Sequence, residues 1–339
     1  MRASARAPAA IATLLAALAV TMTGCDCGGG DDGETDPDPA GDHLVVSLGD
    51  SVASGEGNPD GRDPVHWQSR RCHRSLRSGQ ALAATEALGG EAADRFVSFA
   101  CSGAQIDVGV LGPYKGIEPR GDGLLKPQVE NLANVVEGRT VDAVMVSVGA
   151  NDVGFLKVVL FCVLVEPCEE KRFDPELPLR RQLEARERMR VSVPASIERL
   201  AEGYRELDAA LPEEIPRERV LLVEYFDATS GREGRPCKFG GISAREFEWA
   251  RTKLLVPLNE QLRESAEELG WTLVEGVDEG FAGHGICVRR EDRWVAKLDD
   301  SLFEAGSGFT GTFHPNPDGH AAIAERIVPA LQPLVNSGD

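Results

Sequence analysis

The chain has little positive charge, no long apolar run and no cysteine pairs at metal-binding spacing. Its 339 residues carry 36 Lys and Arg against 55 Asp and Glu, a formal net charge of −19. This charge disfavours binding to nucleic acid or to an anionic lipid surface through a basic face. No C-x-x-C pair lies near a matching pair or an H-x-x-x-H, so the sequence indicates no zinc site. With 42% apolar and 27% charged residues, the composition is that of a globular protein.

The N-terminus has the pattern of an export signal. Arg2 and Arg6 form a basic start, and the apolar run at 9–20 is shorter than the roughly 20 residues that a membrane span needs. Residues 22–25 (Met-Thr-Gly-Cys) resemble a bacterial lipobox, which implies cleavage before Cys25 and lipid on its thiol. The alternative is an ordinary signal peptide followed by an incidental Cys25 and Cys27.

Three regions follow from these patterns. Residues 1–24 are interpreted as a lipoprotein-type signal peptide, and 25–42 as a flexible acidic linker that lacks the large apolar residues needed for folding. Residues 43–335 are interpreted as one domain, since no internal repeat or second domain is visible. We therefore expect an exported monomer in the bacterial cell envelope, held at the membrane by lipid on Cys25, or otherwise secreted.

Cysteine usage agrees with export. Six cysteines follow the linker, and an even number in an exported chain suggests disulfides. Cys162 and Cys168 bracket a short segment and predict a local loop, whereas the other pairings stay open at this point. The remaining cysteines are Cys72, Cys101, Cys237 and Cys287.

Apolar runs alternate with helical patterns along the domain. Runs typical of buried strands lie at 43–48, 95–99, 141–148, 220–225 and 271–274. Helical patterns lie between them, with start signals at Ser75, Pro127 and Ser243 and a last helix over 318–334. This alternation predicts an α/β fold with a parallel sheet covered on both faces. Ligands of such sheets bind at the carboxyl ends of the strands.

Three polar motifs follow predicted strands, and one precedes the last helix. Ser51 lies in Gly-Asp-Ser after the first strand, where a tight turn would present its hydroxyl at the sheet edge. Gly103, after the second strand, would let the backbone approach a ligand. Asn151, after the third, could direct its amide at a developing oxyanion. His314 could reach Ser51 as a general base.

Each motif also has an explanation without chemistry. Ser51 could cap a helix, Gly103 and Asn151 could form ordinary turns, and His314 could be a surface residue. Their joint occurrence in the order Ser, Gly, Asn, His favours the catalytic interpretation.

The set resembles the SGNH, or GDSL-type, hydrolases, from about residue 43 to 330. The resemblance implies a three-layer α/β/α sandwich with a flavodoxin-like parallel sheet, and ester hydrolysis without a metal or other cofactor. It further implies that Ser51 is the nucleophile and His314 the base. The oxyanion hole would consist of the backbone N–H groups of Ser51 and Gly103 and the side-chain amide of Asn151.

Further motifs resemble the secreted actinobacterial-type esterases and lipases of that family. They are Cys-His-Arg-Ser at 72–75, Ala-Cys-Ser-Gly at 100–103 and the His-Pro-Asn segment at 314–316. This subgroup implies the disulfides Cys72–Cys101, Cys162–Cys168 and Cys237–Cys287.

The sequence departs from the wider family at one position. That family has Asp three residues before the catalytic histidine, where this chain has Gly311. Members of the subgroup orient the imidazole with a backbone carbonyl, so we expect a Ser51–His314 dyad with the Gly311 carbonyl in that role. His320 is the second candidate for the base. Since the base must be neutral, activity is expected to fall as the pH drops below roughly 6.5.

The substrate is less defined by the sequence. Residues 155–165 are almost all apolar and follow the Asn151 motif, so they could line an acyl pocket or act as a lid; equally, they could be a buried helix. The prediction is an extracytoplasmic esterase or lipase acting on lipid or small acyl esters. A carbohydrate O-deacetylase of the same fold and a non-catalytic binding lipoprotein are the alternatives.

Overall fold

The computed structural model describes residues 39–62, 65–118, 123–301 and 310–336. The predicted signal peptide, the lipobox with Cys25 and most of the predicted linker lie outside the described residues.

The strands in the described part of the chain form a five-stranded sheet and a small hairpin. They are β1 (His43–Gly49), β2 (Gly61–Arg62), β3 (Val65–His66), β4 (Phe96–Ser98), β5 (Thr140–Ser147), β6 (Val220–Val223) and β7 (Thr272–Val274). The sheet order is β4-β1-β5-β6-β7, with every pair parallel, and β2 and β3 form the antiparallel hairpin. With the sheet strands renumbered in chain order, this is the flavodoxin-like arrangement 2-1-3-4-5.

Helices connect these strands. They are α1 (Ser51–Ser54), α2 (Gly79–Leu88), α3 (Ala92–Arg95), α4 (Gln128–Val136), α5 (Phe155–Leu164), α6 (Met189–Ala210), α7 (Ala244–Ala250), α8 (Val256–Leu269), α9 (Val277–Gly280) and α10 (Pro317–Asn336). A π-helical turn, Arg251–Leu255, joins α7 to α8. Short 3₁₀ turns lie at Gly89–Glu91, Cys168–Glu170, Leu179–Glu184, Arg217–Arg219, Arg232–Gly234 and Arg290–Asp292.

Two helix pairs flank the sheet: α2 packs against α10, and α6 against α8. The central strands are apolar on both sides because helices cover both faces; every residue of β1 after His43 is buried. The predicted α/β/α sandwich is thus confirmed. Among the described residues, no helix has both the length and the apolar character required to cross a membrane.

The helix boundaries differ from the sequence interpretation in one instructive place. The predicted cap Ser75 does not start α2, because its hydroxyl bonds to the carbonyl of Asn58 and to Asp60. Ser78 caps α2 instead, its side chain accepting the N–H of Ala81. The capping box at Ser243 is present as predicted, with Glu246 as its partner.

The described part of the chain contains three disulfides, with the pairing that the resemblance implies. They are Cys72–Cys101, Cys162–Cys168 and Cys237–Cys287. Such bonds persist in oxidising compartments and agree with an exported protein.

The contact between α2 and α10 depends on the absence of a side chain at Gly79. A Cβ there would lie 2.7 Å from Cγ2 of Ile323, whereas a Cβ at Gly90 would meet nothing within 4 Å. We expect Gly79→Ala to lower the free energy of unfolding by about 1–3 kcal/mol, because the added methyl forces the two helices apart. The matched variant Gly90→Ala should be neutral or slightly stabilising. Urea unfolding of both variants measures the difference, and equal stabilities would contradict this packing.

Candidate active site

The carboxyl ends of β1, β4 and β5 lead into one cleft. Ser51, Gly103 and Asn151 line it from the loops after these strands, and His314 lines it from the loop before α10. The structure thus brings all four residues singled out in the sequence to the same cleft. Parallel strands explain this, since their carboxyl ends share one edge of the sheet.

Ser51 is held at a sharp turn between β1 and α1. Gly49 has φ +139°, and a Cβ on it would lie 2.0 Å from the carbonyl oxygen of Ser147. The side chain of Gln128 binds both backbone groups of Gly49, accepting its N–H at 2.7 Å and donating to its carbonyl at 2.9 Å. Only glycine fits where the carboxyl ends of the neighbouring strands β1 and β5 approach this closely, and Gln128 fixes the backbone that precedes Ser51.

Asp50 is a fully buried carboxyl group next to Ser51. One of its oxygens caps α1 by accepting the N–H of Val52, and the other accepts the hydroxyl of Tyr225 at 2.6 Å. Burial raises the pKa of Asp50 to about 7, although the Tyr225 hydroxyl acts in the opposite direction. The backbone N–H of Ala150 donates to the same hydroxyl at 3.1 Å. Tyr225 therefore joins the loops that carry Ser51 and Asn151.

His314 contacts the Ser51 hydroxyl, with 2.7 Å between Nε2 and Oγ. Burial lowers the pKa of His314 below its ordinary value, against the opposing effects of Glu56 and of the backbone carbonyls of Thr312 and Thr310. Its Nδ1 is buried and has no hydrogen-bond partner among the described residues. A neutral imidazole at this position can accept the Ser51 proton.

The structure does not show the expected contact between the Gly311 carbonyl and the imidazole, whose Nδ1 has no hydrogen-bond partner among the described residues. That carbonyl accepts the backbone N–H of His314 at 3.2 Å and so closes a turn onto the main chain. The carbonyls that favour the protonated imidazole belong to Thr312 and Thr310 instead.

His320 does not reach Ser51 in this structure. It is fully buried, its Nδ1 accepts the N–H of Gly79 at 3.1 Å, and its Nε2 contacts the carbonyl of Glu56 at 3.1 Å. Burial lowers its pKa to about 4, so the ring is neutral at physiological pH. The neutral ring donates from Nε2 and serves as a structural link between α2, α10 and the Ser51 loop.

Gly103 and Asn151 lie on loops that are bonded to each other. Gly103 has φ +83°, and a Cβ there would lie 2.4 Å from the hydroxyl of Tyr114. The amide nitrogen of Asn151 donates to the carbonyl of Ala104 at 3.0 Å, which uses one of its two N–H groups. The side-chain amide of Gln105 donates a hydrogen bond to the backbone carbonyl of Asn151. The hydrogen bonds between these loops thus fix Gly103 and Asn151, the two groups expected to donate to the oxyanion, relative to each other.

The rest of the cleft is mostly apolar. The residues that give it this character are Val52, Ile117, Phe155, Leu156, Phe226, Leu255, Leu258 and Phe313. Both interpretations of the segment 155–165 are partly right, because the first turn of α5 lines the cleft and its later residues Val158, Val159 and Cys162 pack in the core.

The described residues contain one cluster of potential metal ligands, and it lies outside the cleft lining. Cys168, Glu169 and Glu246 lie close together there. Cys168 is in a disulfide, and both oxygens of Glu246 accept backbone N–H groups, from Cys168 and Ser243. This cluster gives no argument for a metal.

Comparison with known proteins gives one family match. The profile described as the GDSL-like Lipase/Acylhydrolase family matches residues 47–322. Among curated proteins, none matches the chain.

Two solved structures resemble this fold. One is an extracellular lipase from Streptomyces rimosus, 22% identical with a TM-score of 0.54, which covers 88% of this chain and 100% of its own. The other is a phospholipase A1 from Streptomyces albidoflavus NA297, 21% identical with a TM-score of 0.52. That match covers 87% of this chain and 98% of the phospholipase chain. At these identities the similarity concerns the fold.

The Tyr225 hydroxyl should matter most when Asp50 is ionised. Tyr225→Phe removes a hydrogen bond that lowers the pKa of Asp50. The loss of stability caused by this substitution should therefore grow as the pH rises through about 7. We expect the free energy of unfolding to fall by about 1–3 kcal/mol at pH 8 and by less at pH 5, as measured by urea unfolding. In the control Tyr114→Phe, the lost partner is the Ser102 carbonyl, and the cost should not change with pH. A pH-independent cost for Tyr225→Phe would contradict the Asp50 contact.

Proposed function

The chain belongs to the GDSL-like lipase/acylhydrolase family and is a carboxylic ester hydrolase, and we propose that Ser51 and His314 carry out the hydrolysis. The observation that supports this assignment is the 2.7 Å contact between Ser51 Oγ and His314 Nε2 in the cleft. It is the geometry required for a nucleophile and its general base.

The proposed reaction proceeds through an acyl-enzyme. Nε2 of His314 takes the Ser51 proton while Oγ attacks the ester carbonyl. The backbone N–H groups of Ser51 and Gly103 and the Asn151 amide receive the negative charge of the tetrahedral intermediate. His314 then protonates the leaving alcohol, and an activated water releases the acid by the same route. Because burial lowers the pKa of His314, the imidazole stays neutral down to a pH below the ordinary pKa of histidine.

The proposed substrates are esters with a medium or long acyl chain. Apolar side chains from α5, the β6 loop and the α7–α8 connection surround the catalytic pair, and Phe155 and Leu156 lie beside Asn151 in the cleft lining. Such a surface gains from the burial of methylene groups, about 0.8 kcal/mol each. An acetyl group would leave most of this surface without a partner.

We also propose an extracytoplasmic location, with lipid on Cys25 as the anchor. The three disulfides support an oxidising compartment. The lipobox-like segment at 22–25 supports the anchor.

Hydrolysis of p-nitrophenyl esters from acetyl to palmitoyl tests the activity. We expect the purified protein to hydrolyse them and Ser51→Ala to lose at least about 1,000-fold in kcat, because the nucleophile is removed. Ser196→Ala is the control, since this serine is also buried but bonds within α6. Retained turnover in Ser51→Ala would refute the assignment of the nucleophile.

The chain-length preference tests the pocket. Leu156→Trp should fill the space beside the catalytic pair and lower kcat/KM for octanoyl relative to acetyl esters by about tenfold or more. Leu164→Trp is the matched control, because Leu164 lies at the other end of α5 and is 62% exposed. Wild-type activity confined to acetyl esters would contradict the acyl pocket and favour a deacetylase.

A further inference from the structure

Glu56 is a buried carboxylate that contacts three other segments of the chain. Its side chain is fully buried and accepts hydrogen bonds from His73 Nδ1 at 2.8 Å, from the Ser102 hydroxyl at 2.7 Å and from the Thr310 hydroxyl at 2.9 Å. Its backbone carbonyl accepts Nε2–H of His320. No sequence motif singled out this residue, which lies five positions after Ser51.

Glu56 and His73 form an ion pair. Burial opposes the charge on Glu56, but the hydrogen bond and charge of His73, together with the charge of His314 and the Ser102 hydroxyl, hold the pKa of Glu56 below its ordinary value. Burial likewise opposes the charge on His73, but Glu118 and Glu56 raise its pKa to about 9. Trp67 stacks on the His73 ring at 4.7 Å between ring centroids. The carboxylate is therefore ionised at neutral pH in a water-excluded position.

The partners of Glu56 lie next to the residues of the proposed mechanism. Ser102 precedes Gly103, and the backbone of Thr310 contributes to the environment of the His314 ring. The disulfide Cys72–Cys101 joins the neighbours of His73 and Ser102.

The Ser51 loop also packs directly on the base loop. A Cβ on Gly57 would lie 3.3 Å from Cβ of His314. Glu56 thus connects the segments that carry Ser51, Gly103 and His314.

The charge of Glu56 also acts on the base. The Nδ1 atom of His314 has no hydrogen-bond partner among the described residues, so none of their carboxylates binds this ring nitrogen directly. Of the charged groups that act on His314, Glu56 favours the protonated ring, and His73, on the far side of Glu56, disfavours it with a smaller effect. His320 lies near as well but is neutral.

We propose that Glu56 is the positioning residue of the dyad: its buried carboxylate holds the Gly103 and His314 loops about Ser51, and its charge stabilises the imidazolium formed on His314. This inference rests on the proposed function of Ser51 and His314. Glu56 thus takes the place of the aspartate that the wider family has three residues before the histidine; it comes from a different segment and acts through space and through Thr310.

The charge-neutralising variant Glu56→Gln tests the role. We expect kcat on a p-nitrophenyl ester to fall by about 100-fold with a small change in KM, because the loops lose their common anchor. The acid limb of the pH profile of kcat/KM should also move to lower pH. The matched control is Asp142→Asn, which neutralises another fully buried carboxylate, one paired with Arg95 at the opposite end of the sheet. It should change kcat by less than about threefold and leave the pH profile unchanged.

Thr310→Val separates positioning from charge, since it removes one contact and keeps the carboxylate. We expect a lower kcat with the acid limb unchanged. Should Glu56→Gln fail to fold, Thr310→Val decides the positioning role, and an unchanged kcat overturns it. Equal losses in Glu56→Gln and Asp142→Asn, at equal folded fractions by circular dichroism, would also overturn it.

Titration of the histidine rings by NMR gives a readout without substrate. The chain has six histidines, so His314 can be assigned with a His314→Gln sample. The pKa of His314 should be lower in Glu56→Gln than in the wild type and equal to wild type in Asp142→Asn. An unchanged pKa in Glu56→Gln overturns the charge role. If the wild type hydrolyses no ester, the proposed function fails, while this titration still decides whether Glu56 acts on His314.

Discussion

The close approach of the β1 and β5 backbones at Gly49 is the constraint on which the site depends. A side chain at Gly49 would collide with the carbonyl of Ser147, so the backbone can turn here only with glycine. The turn places Ser51 at the start of α1, and the paired bonds from Gln128 hold it there. The loop after β5 begins at Ser147, next to Gly49, and carries Asn151. The distance between Ser51 and Asn151 is thus set by strand packing.

Two buried carboxyl groups beside this turn behave in opposite ways. Asp50 and Glu56 are both completely buried, and burial alone would favour the neutral form of each. Asp50 faces a neutral hydroxyl from Tyr225, and its pKa is raised to about 7. Glu56 faces a protonated imidazole, and its pKa is lowered. The partner, and not the burial, decides which carboxyl group supplies a charge near His314.

The helix α5 combines two roles that seemed to be alternatives. Its first turn leaves the Asn151 loop at the cleft, so Phe155 and Leu156 line the same space as Ser51 and His314. Its next turns lie over the core, where Val158 and Cys162 are buried. A helix that starts at the edge of a sheet and runs across it meets both environments, and an apolar sequence suits both. Periodicity could not separate them.

The family and the α/β alternation could be predicted from local patterns, because strands and motifs recur in a fixed order. The same patterns singled out Ser51, Gly103, Asn151 and His314, which the structure brings to one cleft. The disulfide pairing followed from the resemblance, since cysteine spacing left several pairings open. The groups around the imidazole became known from the tertiary structure alone. In it, the Gly311 carbonyl accepts a backbone N–H, and Glu56 accepts the hydroxyl of Thr310. The tertiary structure also placed Tyr225 and Gln128 beside the turn that carries Ser51, although neither belongs to a motif. Such contacts join residues far apart in the chain, and their geometry depends on how helices and loops pack, which no local pattern encodes.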